Sequence, residues 1–164
     1  MTESSELKIR LATVADVPLI LSLIRELAVY EKLEHAVTAT EEDLRETLFV
    51  PRAYAEVLLG SMNGKPEAYA LFFHSYSTFL GRQGMYLEDL YVRPHARGRG
   101  LGKTMLLHLA RLAVERGCKR LEWAVLDWNK PAIDFYRSLG AEPLDEWTVF
   151  RLTGNTLESI SGKS

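Results

Sequence analysis

The chain has 164 residues, 47% hydrophobic and 26% charged, with a formal net charge of −2 and one cysteine. That length suits a single domain over residues 1–164, able to bury about two thirds of the surface its unfolded form exposes, with no need of a disulfide scaffold. The slight acidic excess argues against a general nucleic-acid binder, which carries a large basic surplus, and no apolar run approaches the ~20 residues of a membrane span. The start from Met1 to Glu6 is polar and acidic, unlike a signal peptide, so a cytoplasmic protein is expected.

Lys8 to Leu11 reads as a short opening strand. Thr13 or Asp16 can cap the next helix, with Pro18 tolerated in its first turn. Val17, Ile20, Leu21, Ile24, Leu27 and Ala28 then share one face, which must pack on a sheet. Tyr30 to His35 mixes charge with aromatic character and fits either a solvated helix end or the acidic wall of a substrate site. A second helix starts at Thr40, with Asp43 placed for a capping box and Leu44 and Leu48 as its apolar stripe, and Pro51 breaks it.

Tyr54 to Leu59 and Glu67 to Tyr76 read as strands, with Gly60 to Gly64 as a loose hairpin loop between them. Ser77 to Gly84 leads into a further strand, Tyr86 to Val92. That strand is β-branched, aromatic or leucine except for Glu88 and Asp89, and Pro94 ends it. Adjacent strand residues point to opposite faces, so Glu88 and Asp89 are expected to diverge.

After Ala96 glycines occupy alternate positions, Gly98, Gly100 and Gly102, and Leu101 to Glu115 is apolar at helical spacing, with Leu101, Met105, Leu109, Leu112 and Ala113 inward and Gly117 closing it. Glycines let a backbone turn sharply and approach a ligand, and the free N–H groups of a helix start attract an anion. Arg97, Arg99 and Lys103 add charge, so the stretch is a phosphate-binding candidate. It is not a P-loop, which would need glycine where Arg97 stands, nor a dinucleotide fingerprint, whose last glycine would fall on Lys103 or Met105.

Leu121 to Leu126 reads as a strand, broken by Asp127 to Pro131, and Ala132 to Leu139 as a short helix ending at Gly140. A short strand near Ala141 to Leu144 is possible, Trp147 to Leu152 is a final strand, and residues 1–7 and 154–164 are expected to be loose tails. Cys118 reads as a structural thiol, since no activating base lies near it in sequence. His35, His74, His95 and His108 show neither metal-ligand spacing nor a triad, so no metal is expected.

Arg97-x-x-Gly100-x-Gly102 between that strand and that helix resembles the pyrophosphate-binding loop of the GCN5-related N-acetyltransferases (the GNAT superfamily). Asp127-Trp128-Asn129, followed by Ala132 to Tyr136 and Leu139-Gly140-Ala141, looks like the superfamily segment in which an asparagine precedes a helix carrying a tyrosine. Glu26-Leu27-Ala28, Tyr30-Glu31, Tyr86-Leu87-Glu88-Asp89 and Ala124 to Asn129 look like the diamine branch, which includes spermidine/spermine and thialysine acetyltransferases. The match runs from about residue 8 to residue 152, and its last segment is closer to the thialysine type.

The resemblance implies an α/β (α+β) fold, with a mixed, mostly antiparallel central sheet of six to seven strands and helices on both faces. It implies acetyl-CoA as co-substrate, held by Leu90, Tyr91, Val92, Arg97, Gly98, Arg99, Gly100, Leu101, Gly102, Lys103, Asn129 and Tyr136. It also implies transfer of acetyl to a small cationic amine by direct attack, and a homodimer. A backbone N–H near Leu90 would polarise the acetyl carbonyl.

The residue types fit that chemistry. An ammonium ion has no lone pair, so Glu88 would take its proton through a water, and Tyr136 would protonate the departing thiolate. Glu31, Glu88, Asp89 and Trp123, with Trp147, would line the acceptor pocket. Glu122 and Trp123 depart from the aromatic and imidazole pattern of the polyamine enzymes. A protein or peptide N-acetyltransferase and a non-catalytic CoA-binding module are the alternatives.

Overall fold

The computed structural model describes residues 5–162; the parts of the expected tails at 1–4 and 163–164 lie outside the described residues. The chain divides into two compact units, Met1–Ala124 and Val125–Ser164.

The first unit is built on a sheet of five strands in the order β1-β2-β3-β4-β5: Leu7–Leu11, Glu56–Met62, Lys65–Ser77, Arg82–Val92 and Leu121–Trp123. The first four pair antiparallel, and β5 runs parallel to β4. Helices α1 (Val17–Tyr30) and α2 (Glu41–Leu48) follow β1, and α3 (Leu101–Glu115) joins β4 to β5. The fold is therefore the mixed α/β arrangement expected, with five strands in place of six to seven.

Strand alternation explains the two helical layers. Val57, Leu59, Tyr69 and Tyr91 share one core cluster with Val17, Ile20, Leu23 and Leu27 of α1 and Leu44 of α2. The opposite face receives α3: a Cβ added at Gly60 would sit 2.7 Å from Met105 Sδ and 3.1 Å from Leu101 Cδ1. A side chain at that position would press on Met105 and Leu101, so glycine lets helix and strand approach closely. Arg116, just past α3, holds Glu56 of β2 through two hydrogen bonds of 2.6 and 2.9 Å.

The local signals for helix ends act as read. Thr40 caps α2, its backbone N–H donating to Asp43 (2.8 Å) and its Oγ1 accepting from the Asp43 N–H (3.2 Å). Before α1, the Thr13 N–H donates to the Asp16 carboxylate at 2.7 Å, and Asp16 in turn is gripped by Arg10 at 2.7 and 2.8 Å. That guanidinium holds the Asp16 carboxyl down to about 2.

The hairpin joining β2 and β3 is tighter than expected. Gly60, Ser61 and Met62 continue the strand, and the turn is Asn63-Gly64 alone, with φ of 51° and 79°. Two residues of positive φ match the twist of the flanking strands. The next connection also shortens, since β3 runs to Ser77 and β4 starts at Arg82.

In β4 the register shifts: Asp89 lies opposite Leu71 and Leu87 opposite Phe72, so Glu88 is an extra residue, a β-bulge. The β4–β5 ladder covers only Met85–Leu121, Tyr86–Glu122 and Leu87–Trp123. The strand expected over Leu121 to Leu126 therefore ends at Trp123.

The second unit holds α4 (Lys130–Ser138) and α5 (Gly154–Ile160). Helix α5 replaces much of the loose tail expected over 154–164. The strands expected at Trp147 to Leu152 and near Ala141 to Leu144 do not form, which accounts for the lower strand count. An alternating run becomes a strand only when another strand takes up its N–H and C=O groups, and the described residues of this unit contain none. Trp147, Val149 and Phe150 are left 78%, 87% and 92% exposed.

Candidate active site

The glycine loop lies between β4 and α3. Gly98 and Gly100 have φ of 77° and 84°, a left-handed backbone that L side chains rarely adopt, and an added Cβ at either would meet no atom within 4 Å. The loop is thus open on its outer side. The Thr104 N–H donates to the Gly100 carbonyl at 2.9 Å, reinforced by Thr104 Oγ1 at 2.8 Å, so the α-helical ladder starts there. The N–H groups of Leu101, Gly102 and Lys103 precede that first helical bond and are available to an anion.

The loop's basic residues have different environments. Arg97 Nε donates to the Val92 carbonyl at 2.8 Å, and its guanidinium lies 4.6 Å from the centroid of the Tyr30 ring and 5.6 Å from that of Tyr91. This arginine braces the loop against the end of α1 by hydrogen bonding and cation–π attraction. Arg99 approaches Met62 Sδ at 3.5 Å, and Lys103 is exposed in the first turn of α3.

Leu90, Tyr91 and Val92 close β4 directly before the loop. Arg93, the residue after them, is held by Glu26 of α1 at 3.0–3.3 Å and donates to the Pro66 carbonyl at 3.2 Å. The Glu26–Arg93 pair fastens the strand end to α1. It was missed as a functional pair because its members stand far apart in sequence.

Upstream of the loop, the bulge places an extra residue, Glu88, directly before Asp89. The extra residue resets the alternation, so Asp89 lies opposite Leu71, whose side chain packs with the α1 cluster, and Asp89 is on the α1 side of the sheet. Glu88 is exposed and Asp89 partly buried. The Tyr69 hydroxyl donates to Asp89 Oδ2 at 3.0 Å.

Burial pushes the Asp89 carboxyl up to about 6; the bond from Tyr69 opposes the rise, while the charges of Glu88 and Glu31 add to it. Burial also raises the Glu31 carboxyl. Glu31 is the C-terminal cap of α1, where the helix dipole disfavours a carboxylate. Trp123 ends β5 opposite Leu87, the residue before the bulge. The charges of Glu31 and Glu88 thus converge on Asp89.

Tyr69 was not foreseen as a site residue. Its sequence signal was a tyrosine within the apolar run Ala68 to Phe73, because a phenol at the centre of a buried strand needs a partner for its hydroxyl.

In the second unit, Asn129 caps α4, its side-chain oxygen accepting from the Ala132 N–H at 3.4 Å, and it is buried. Tyr136 is half-buried on α4, its ring centroid 5.5 Å from that of Phe135. Trp147 is exposed on a segment without secondary structure. Cys118 is buried just past α3. Among the described residues, no group of three His, Cys, Asp or Glu is placed to hold a metal ion.

The model of the acetyltransferase (GNAT) family matches residues 19–141. The chain belongs to that family. This acetyltransferase is 45% identical to the thialysine N-epsilon-acetyltransferase of Bos taurus, over 94% of this chain and 97% of the relative. It is 34% identical to an L-ornithine N5-acetyltransferase of Arabidopsis thaliana, over 93% of this chain and 87% of the relative. Among solved structures, an integron cassette protein from the mobile metagenome of V. cholerae superposes with a TM-score of 0.80 at 27% identity, covering 94% of this chain and 97% of that one. This chain is therefore an acetyl-transferring enzyme of the branch that its sequence resembles, and no helix among its described residues is long and apolar enough to cross a membrane.

Proposed function

We propose that this acetyltransferase moves the acetyl group of acetyl-CoA to the amine of a small cationic acceptor: a diamine, a polyamine, thialysine or a lysine-like amino acid. The observation that carries this reading is the acidic group at the bulge, where the charges of Glu31 and Glu88 add to burial in raising the affinity of Asp89 for positive charge. An ammonium ion placed there would relieve the repulsion among the carboxylates. The names of the relatives in Bos taurus and Arabidopsis thaliana support the same class, since thialysine and ornithine are both small amino acids with a side-chain amine.

The residues at the loop fit the co-substrate. Its open outer side and the unbonded N–H groups at the start of α3 suit a pyrophosphate, and Arg97 stiffens the loop that presents them. When bound, acetyl-CoA supplies the acetyl group as a thioester. Glu88, exposed on the bulge, takes the ammonium proton through a water, so that the free amine attacks directly and no covalent enzyme intermediate forms. The ladder with β5 stops at Leu87, leaving the backbone beyond it on that edge, near Leu90, to polarise the carbonyl.

Asn129 and Tyr136 are assigned by the family segment that they match, Asn129 to co-substrate contact and Tyr136 to protonation of the departing thiolate. The family match continues from the first unit into the second, and this supports one catalytic domain over 1–164. We place the enzyme in the cytoplasm as a homodimer, a state that sedimentation will read directly.

An amine panel containing thialysine, lysine, ornithine, putrescine and spermidine, with release of CoA as the readout, tests the proposal. Turnover is expected with at least one of these cationic acceptors. Turnover only with a peptide, or with none, would overturn it.

A further inference from the structure

Among the described residues, the Asp89 carboxylate accepts one side-chain hydrogen bond, from Tyr69, and that donor has no access to water. Tyr69 is fully buried at the centre of β3, opposite Tyr91, and its hydroxyl reaches Asp89 Oδ2 at 3.0 Å across the sheet face. Asp89 shares its face of the sheet with Tyr91, two residues further along the regular part of β4, and Glu88 just before it is the extra residue of the bulge. The titratable groups that act on Asp89 are Tyr69 from β3, Glu88 from β4 and Glu31 from the end of α1; of these, among the described residues, Tyr69 favours the ionised form and the two acids oppose it.

We propose that Tyr69 is a positioning residue for acceptor recognition, its buried hydroxyl holding the Asp89 carboxylate ionised and fixed toward the cationic acceptor. The inference rests on the reading that the acceptor is a cation. A phenol suits this task. It donates one directional hydrogen bond yet stays neutral, since burial and the adjoining carboxylates push its own ionisation far up. A basic residue at the same place would neutralise the charge that attracts the acceptor. The neighbouring phenol differs: Tyr91 directs its hydroxyl at Glu26, 3.5 Å away, which belongs to the pair with Arg93.

Tyr69→Phe keeps the ring and its packing and removes only the donor. In the free enzyme, carbon-13 NMR of the Asp89 carboxyl should show its titration moved to higher pH in the variant; an unmoved titration overturns the proposal. In steady state at neutral pH, KM for the best cationic acceptor should rise about tenfold, with kcat and KM for acetyl-CoA within about twofold of wild type. A general loss in all three parameters, or no change in the acceptor KM, would mean that Tyr69 only packs. In an Asp89→Asn background, Tyr69→Phe should alter the acceptor KM by less than about twofold, because the charge that it holds is gone. A repeated tenfold loss there would also overturn the proposal. Failure of wild type to use any cationic acceptor would instead strike the functional reading, and it would be seen before any variant is made.

Discussion

The two units handle apolar sequence in opposite ways. In Met1–Ala124, alternating residues become strands buried to completion: Leu59, Tyr69 and Phe72 have no exposed surface. In Val125–Ser164, Asn129 is the one described residue that counts as buried, and Trp147, Val149 and Phe150 stand in solvent. The difference teaches that apolar alternation is a request for a partner, met in the first unit by a neighbouring strand on each side and by helices on both faces. The proposed chemistry divides along the same boundary. The loop and the acidic group belong to the cored unit, and Asn129 and Tyr136 belong to the other.

The sharpest way to break that contrast is a pair of truncations. Leu59→Ala should destabilise the protein by about 2–5 kcal/mol in denaturant unfolding, while Phe150→Ala should stay within about 0.5 kcal/mol. Equal costs would mean that Phe150 is packed after all.

The second prediction asks whether the less cored unit carries chemistry. Tyr136→Phe should lower kcat by about a hundredfold or more while leaving CoA affinity within about threefold, as measured by calorimetry. Unchanged turnover would remove Tyr136 from its assigned role and confine the reacting groups to the first unit.

The third concerns the cost of the acidic group. The Asp89 carboxyl titrates at about 6 in the folded protein against an ordinary value of 3.8, so the native state binds the proton more tightly than the unfolded chain does. Stability from this group therefore falls as pH rises from about 4 to about 6, and the full cost remains above that window. Asp89→Asn should be more stable than wild type by roughly 1–3 kcal/mol at pH 8 and nearly equal to it at pH 3. Catalysis runs the other way, since acceptor binding needs the ionised form: kcat/KM for the amine should drop below about pH 6. An acid profile indifferent to Asp89→Asn would separate this carboxylate from acceptor binding.

Much of the fold follows from contacts made within a few residues. Thr40 with Asp43, the apolar stripe of α1 and the inward face of α3 are local statements, and the structure repeats them with small changes of boundary. The loop belongs to the same class: its glycines, its following helix and its preceding strand are contiguous, and its free N–H groups are a consequence of where the helix starts. Glu88 and Asp89 were visible as acids interrupting an apolar strand, which was enough to mark them.

Their geometry was not visible in this way. Alternation alone does not reveal that Glu88 is an extra residue in β4, nor that Asp89 lies under the hydroxyl of Tyr69, twenty positions earlier in the chain. The ladder of β5 ends at Trp123, and the run from Trp147 to Leu152 forms no strand. Side-chain period and capping are properties of a short segment, so order along the chain reveals them. Register, bulges and the pairing of strands depend on which distant backbone supplies the complementary hydrogen bonds, and that choice is made when the whole sheet assembles.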